Sequence, residues 1–359
     1  VGKTGYWKNK KRWGETGNPN YKGDEVGYHG IHQWSKCLAT NKEEEGIYMK
    51  LGMICYANDG GLGAQTRRLA QMLKPERVLV IDSSQFSKNK AQHFEWYKDY
   101  ESFVVPGFPN NRQVKGFLQN LTHVFTVENL YNPGIAFWGK EQGTKVYCQV
   151  NYEFCDNLLH PWLPEPDVWL MPSHWKKDEM IELFGKDRVK YLPPPIFPEE
   201  FSRAREINLK RKGKRRFLHI IGTAAMHDRN GTLDLIDSIK HTTSDFELVI
   251  RTQHPISMDA FLDDPRVKYE MGNLKDNQDL YEDFDAMIFP RRWGGLALTV
   301  NEGMMSGLPV ITTDIEPQRS WLPKHWRVRS NYVGEFFAKS KIEYSSVEHK
   351  SLAFTIDAY

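Results

Sequence analysis

With 359 residues the chain is longer than one hydrophobic core usually serves, so two domains with a cleft between them are expected. Hydrophobic residues at 40% and charged residues at 26% exclude a disordered chain. The 48 basic and 46 acidic residues nearly cancel, to +2, which excludes attraction of nucleic acid by the field of the whole molecule and leaves only local clusters.

Residues 1–48 read as an irregular basic and aromatic leader. Tyr6, Trp7, Trp13, Tyr21, Tyr28 and Trp34 are interleaved with Lys8, Lys10, Lys11 and Arg12, a mixture suited to phosphate contact and base stacking. A disordered leader or read-through from a neighbouring gene fits the same residues. The first methionine is Met49, and the native start is expected there. The cysteines, Cys37, Cys55, Cys148 and Cys155, have neither CxxC spacing nor the density of a disulfide framework, and read as reduced thiols of a cytoplasmic protein. No stretch approaches the roughly 20 apolar residues of a membrane span.

From Met49 the pattern becomes regular. Leu51 to Tyr56 is an apolar run, Asn58-Asp59-Gly60-Gly61-Leu62-Gly63 is a glycine-rich turn, and Ala64 to Leu73 has helical spacing. Apolar runs at Val78 to Asp82, Val124 to Val127, Lys145 to Gln149 and Val168 to Met171 continue the alternation, as expected of a parallel sheet covered on both faces. Pro193-Pro194-Pro195, Pro198 and the charges from Lys210 to Arg216 mark a linker. A second series follows at Phe217 to Ile221, Phe246 to Arg251, Val267 to Met271, Ala286 to Pro290 and Pro309 to Thr312. The expected organisation is a leader over 1–48, a first Rossmann-like domain over 49–195, a second over 196–345, and a terminal helix over 346–359 that stops in mid-pattern.

Open parallel sheets bind ligands beyond the carboxyl ends of their strands, where helix N-termini offer free N–H groups to anions. The Asp59 to Gly63 turn sits at such a place, though it fits neither GxGxxG nor the P-loop. Gly61 and Gly63 are candidate donor-binding residues, and Asp59 a candidate acceptor contact; a tight turn without a ligand needs the same glycines. After the Ala286 to Pro290 run comes Arg291-Arg292-Trp293-Gly294-Gly295-Leu296-Ala297-Leu298-Thr299-Val300-Asn301-Glu302-Gly303, closed by Ser306-Gly307-Leu308-Pro309-Val310-Ile311.

This stretch resembles the donor-binding segment of retaining GT-B glycosyltransferases of the group 1 (family 4-like) type, and the resemblance covers most of Met49 to Asp314. It implies an α/β fold of two Rossmann-like domains whose parallel sheets face one another across a cleft. It also implies that the amides of Gly294, Gly295, Leu296, Ala297 and Leu298 hold a diphosphate while Glu302 bonds the ribose. The family's second glutamate, eight positions upstream, is Gly294 here. Gly222 and the segment His227 to Thr232 resemble the first loop of the second domain; the usual arginine after the glycine is Thr223, so Arg229 is expected to meet the diphosphate. Leu170 to Trp175 looks like the family's P-S-x-W turn. At the end of the Val124 run, Val127 stands where the family has a histidine, leaving Glu128, Asn129, Tyr131 and Asn151 to orient an acceptor, with turn or capping roles open for the asparagines. Glu128, Arg229 and Glu302 are the expected catalytic residues.

The donor implied is a nucleoside diphosphate sugar, UDP-glucose-like, with no prosthetic group. No DxD motif asks for a metal. Asn18 to Trp34 resembles the N-terminal part of phage HNH-type endonuclease and zinc-module proteins, without their CxxC. That points to double-stranded phage DNA as partner and a hydroxymethylated base as acceptor. A cell-surface glycan or small-molecule acceptor, and a non-catalytic binding protein, remain as competing expectations, and the oligomeric state is left open.

Overall fold

The computed structural model describes residues 49–86, 91–221, 227–253, 255 and 260–359. The leader and Gly222 therefore lie outside the described residues, and with them the DNA-contact expectation and the Gly222 part of the first-loop expectation. The first sheet contains β1 (Leu51–Tyr56), β2 (Arg77–Asp82), β3 (Glu101–Pro106), β4 (His123–Glu128), β5 (Lys145–Val150), β6 (Val168–Met171) and β7 (Val189–Tyr191), in the order β3-β2-β1-β4-β5-β6-β7. The second contains β8 (Arg216–Ile220), β9 (Glu247–Thr252), β10 (Val267–Met271), β11 (Ala286–Phe289), β12 (Val310–Thr313) and β13 (Arg327–Val328), ordered β10-β9-β8-β11-β12-β13. Every paired strand in both sheets is parallel. Both orders are doubly wound, so each sheet has a crevice where the connections reverse direction, above β1 and above β8.

All six residues of β1 are buried because helices cover both faces. Ile54 and Tyr56 join one core cluster, Met53 and Cys55 the other, the alternation a strand imposes. The second sheet divides its core in the same way, with Leu218 on one face and Phe217 on the other.

Besides the short strands β7 and β13, which were not expected, three elements differ from the sequence reading. The charged linker contains a helix, Ser202–Lys210, before β8 begins. β3 was not expected because it is an edge strand whose Phe103 and Val104 are exposed, so it lacks the apolar run of a covered strand. The third is an antiparallel hairpin, β14 (Ser330–Phe337) and β15 (Lys341–Val347). Ser346 and Val347 belong to β15, and the last helix starts at His349, because Val347 pairs with Ser330 and buries its side chain in the second core. The hairpin also reaches the first domain: Ile342 is buried in that domain's cluster, and Lys339 meets Asp156 at 2.7 Å. Among the described residues no helix is long and apolar enough to cross a membrane, and no cluster of His, Cys, Asp or Glu is arranged to hold a metal.

Candidate active site

At the carboxyl end of β1 the chain turns through Asn58 and Asp59 into the helix Gly61–Leu73. Asn58 shapes the turn: its Oδ1 accepts from Gly60 N at 2.9 Å and its Nδ2 donates to Ser83 Oγ at 2.7 Å. A Cβ at Gly63 would lie 1.8 Å from Asn58 O, so only glycine lets the helix start so close to the strand. Gly63 thus packs against the turn, while Gly61 faces the cleft. The helix has no side-chain N-cap, so the donors of its first turn are open to an anion.

The second domain presents a matching terminus. After β11, a turn through Gly294, which holds φ +99°, leads into the helix Leu298–Met305, also without a side-chain N-cap. The two termini meet: a Cβ at Gly61 would lie 3.8 Å from Leu298 Cδ1. Beside this meeting point lies a cavity of about 640 Å³, walled by Asp59, Gly60 and Gly61 from the first domain, Leu298, Thr299 and Glu302 from the second, and the segments 251–253 and 270–278 beyond β9 and β10.

Glu302 sits one turn into its helix and is 5% exposed. Its Oε1 accepts from Arg68 Nη1 at 2.7 Å and Asn277 Nδ2 at 3.3 Å, and its Oε2 from the Tyr281 hydroxyl at 2.6 Å. Arg68, on the helix Gly61–Leu73, has no exposed side-chain surface and also meets Glu200 at 2.7 Å. Burial works against the Arg68 cation, but the charges of Glu302 and Glu200 outweigh it and raise its pKa. Burial, then the Glu302 charge, pushes the Tyr281 hydroxyl well above its ordinary value. A carboxylate offers about four lone-pair sites, so these three donors leave Glu302 capacity for one more.

Arg229 lies at the seam between the domains. Its Nη2 donates to Glu153 Oε1 at 2.5 Å, and its guanidinium lies 4.6 Å from the centre of the Trp293 ring. Gly295 abuts the first domain, where a Cβ would come within 2.8 Å of Trp175. Gly294, Gly295 and Arg229 therefore line the seam, Ala297 is buried in the second domain's core, and neither these residues nor Leu296 wall the cavity.

Of the expected acceptor contacts, Asp59 lines the cavity. Its Oδ1 bonds His93 Nε2 at 2.6 Å, and His93 stacks on Trp96 with ring centres 4.6 Å apart. Glu128, Asn129, Tyr131 and Asn151 gather apart from it, beyond β4 and β5. Glu128 and Tyr131 hold left-handed φ of +74° and +60°. Asn129 Oδ1 accepts from Tyr131 N at 2.6 Å, the Tyr131 hydroxyl donates to Val127 O, and Glu128 O accepts from Asn151 N at 3.0 Å. Burial, then the charge of Glu128, raises the pKa of Tyr131 and of Tyr56. Sequence reasoning missed Arg68, Tyr281, Asn277 and His93: each takes its place only through the fold, and none lies in a glycine-rich turn.

Comparison with known proteins fits this geometry. Residues 217–327 match the family model described as Glycosyl transferases group 1. A glycosyltransferase from Rickettsia africae matches with TM-score 0.58 and 13% identity, over 86% of this chain and 87% of that one. Anabaena Alr3699/HepE in complex with UDP and glucose gives TM-score 0.60 and 11% identity, over 87% and 89%. The lipopolysaccharide outer core galactosyltransferase WaaB in its apo form gives 0.52 and 14%, over 78% and 85%. At these identities the likeness is one of fold, and the fold is GT-B. No curated protein matches the chain.

Proposed function

We propose that the chain is a glycosyltransferase that moves a sugar from a UDP-sugar onto a hydroxyl with retention of anomeric configuration. The observation that carries this reading is the convergence of two uncapped helix N-termini, at Gly61 and Leu298, on a cavity that also holds the buried carboxylate of Glu302. Free amides and aligned dipoles stabilise a diphosphate both when bound and as it departs. Glu302 accepts a ribose hydroxyl at its remaining site. The sugar C1–O bond to the diphosphate breaks with its electron pair staying on phosphate. The acceptor oxygen bonds C1 on the same face, and its proton passes to the departing phosphate oxygen, so no separate base is required. Arg229, held by Glu153 at the seam, would neutralise the charge left on the nucleotide only on leaving that contact. UDP is the nucleotide chosen because the HepE complexes hold UDP, glucose or UDP-glucose.

Glu128, Asn129, Tyr131 and Asn151 belong to the acceptor side of this proposal, as does a cytoplasmic location. The test is calorimetric titration with UDP, followed by hydrolysis of UDP-glucose without acceptor. Saturable UDP binding that Glu302→Ala weakens, together with slow donor cleavage, supports the enzyme. Binding without cleavage of any donor marks a non-catalytic sugar-nucleotide protein, and no UDP binding overturns the reading. For the acceptor, duplex DNA containing hydroxymethylated bases and surface glycans form the two arms of a transfer assay.

A further inference from the structure

At the seam between the domains two guanidinium groups meet one carboxylate: Arg291 and Glu153 are buried, and the Arg229 side chain is 20% exposed. Arg291, at the end of β11, is 3% exposed; its Nη2 donates to Leu296 O at 2.7 Å, and its Nε has no partner among the described residues. A Cβ at Gly294 would lie 2.7 Å from Arg291 Nη2 and 2.7 Å from Arg229 Nη2, so both guanidinium groups converge on that glycine. Among the described residues one carboxylate bonds Arg229, that of Glu153 through Oε1 alone, and no carboxylate bonds Arg291. Glu153 Oε2, Asn151 Oδ1 and Arg229 Nε are also buried without partners among the described residues. Burial, then the neighbouring Arg229 charge, presses the pKa of Arg291 well below its ordinary value. Buried polar atoms are nearly always bonded, and a buried charge in excess of its counter-charges is costly. The four orphans are two cationic donors and two acceptors, which a ligand bearing both an anionic group and hydroxyls would satisfy together.

Position along the fold says which part of a ligand would come here. Glu302 lies about one turn inside its helix, Leu298 opens the helix, and Gly294 lies beyond its N-terminus. A nucleotide sugar with its ribose at Glu302 and its diphosphate at Leu298 carries its sugar toward Gly294. We infer that the transferred sugar bears a carboxylate, the donor being a nucleoside diphosphate hexuronate, and that Arg291 recognises that carboxylate while Glu153 and Asn151 accept sugar hydroxyls. This rests on reading the cleft as a nucleotide-sugar site. The two guanidinium groups fill the space beside Gly294, so the sugar enters as the Arg229–Glu153 contact opens.

Calorimetric titration with UDP, UDP-glucose and UDP-glucuronate tests the inference, in the wild type and in Arg291→Met, which keeps the side chain's bulk. The wild type should bind UDP-glucuronate about tenfold to a hundredfold more tightly than UDP-glucose, the range expected of a hydrogen bond between charged groups. In Arg291→Met that preference should vanish while UDP affinity holds. Equal affinity of the wild type for the two sugars overturns the inference, as does equal weakening of UDP and both sugars in the variant, which would assign Arg291 to the diphosphate. If Arg291→Met does not fold, the wild-type comparison decides alone. Absence of UDP binding is a different outcome, and removes the underlying reading instead.

Discussion

Arg68 Nη1 and Glu302 Oε1 lie 2.7 Å apart across the cleft, one from each domain, with the arginine side chain fully buried and the glutamate side chain 6% exposed. Glu200 and Tyr281 complete the arrangement, so the candidate ribose ligand is also one of the points where the second domain holds the first.

Arg68→Met should therefore destabilise the fold and not only the site. Removing the arginine leaves Glu302 buried without its cation, a change that typically costs about 3–5 kcal/mol. Urea denaturation should show the unfolding free energy falling by that order, and Arg68→Met combined with Glu302→Gln should recover part of the loss. A variant with wild-type stability would show that the pair contributes nothing.

The glycines divide by what surrounds them. Gly231 holds φ +72°, and a Cβ there would stand 2.0 Å from Pro290 O; Gly143 holds φ +71° with nothing within 4 Å. Gly143→Ala should cost only the left-handed backbone penalty, about 1–2 kcal/mol. Gly231→Ala adds a backbone collision beside the Arg229 loop and should cost more, by about 1–3 kcal/mol. Equal losses in parallel denaturation curves would refute the steric part of this account.

Most covered strands were legible in the sequence because burial on both faces produces unbroken apolar runs; Leu51 to Tyr56 matches β1 residue for residue. β3 was hidden because an edge strand needs no such run, and the hairpin because Tyr332, Val333 and Phe337 are exposed while its inward residues serve two different cores. The site divides in the same way. The Gly61 and Leu298 turns could be read because a helix start close to a strand requires glycine or a characteristic local pattern. Arg68, Tyr281 and Arg291 could not, because their meaning comes from partners distant in the chain, and an arginine within an amphipathic helix is ordinarily a solvated one.

The hairpin should act as a clamp. Ile342 is fully buried among first-domain residues, Phe336 packs edge-on to Trp293 with ring centres 4.9 Å apart, and Arg292 Nε donates to Ser345 O at 3.0 Å. Ile342→Ala should cost about 2–5 kcal/mol, the usual range for truncating a buried aliphatic side chain. It should also raise hydrogen exchange in both the hairpin and the segment 152–158. Exchange confined to the hairpin would show that it does not brace the first domain.

His219 offers a pH-dependent test of the second domain. It is fully buried on β8, with Nδ1 2.8 Å from Ile288 O and Nε2 2.9 Å from Thr232 Oγ1. This geometry suits a neutral ring whose Nδ1–H donates to the carbonyl and whose Nε2 accepts from the hydroxyl. Burial lowers its pKa from 6.5 to about 4, against a smaller opposing effect of the Ile288 bond. Between those values the unfolded chain holds a proton that the folded chain lacks, so stability rises with pH across the window. The contribution is fully present above pH 6.5 and is lost as pH falls toward 4, a total of about 3 kcal/mol. Urea denaturation at pH 7 and pH 4.5 should therefore show a smaller acid-induced loss for His219→Gln than for the wild type, by about 2–3 kcal/mol. Identical losses in the two proteins would mean that His219 keeps its ordinary affinity for the proton on folding.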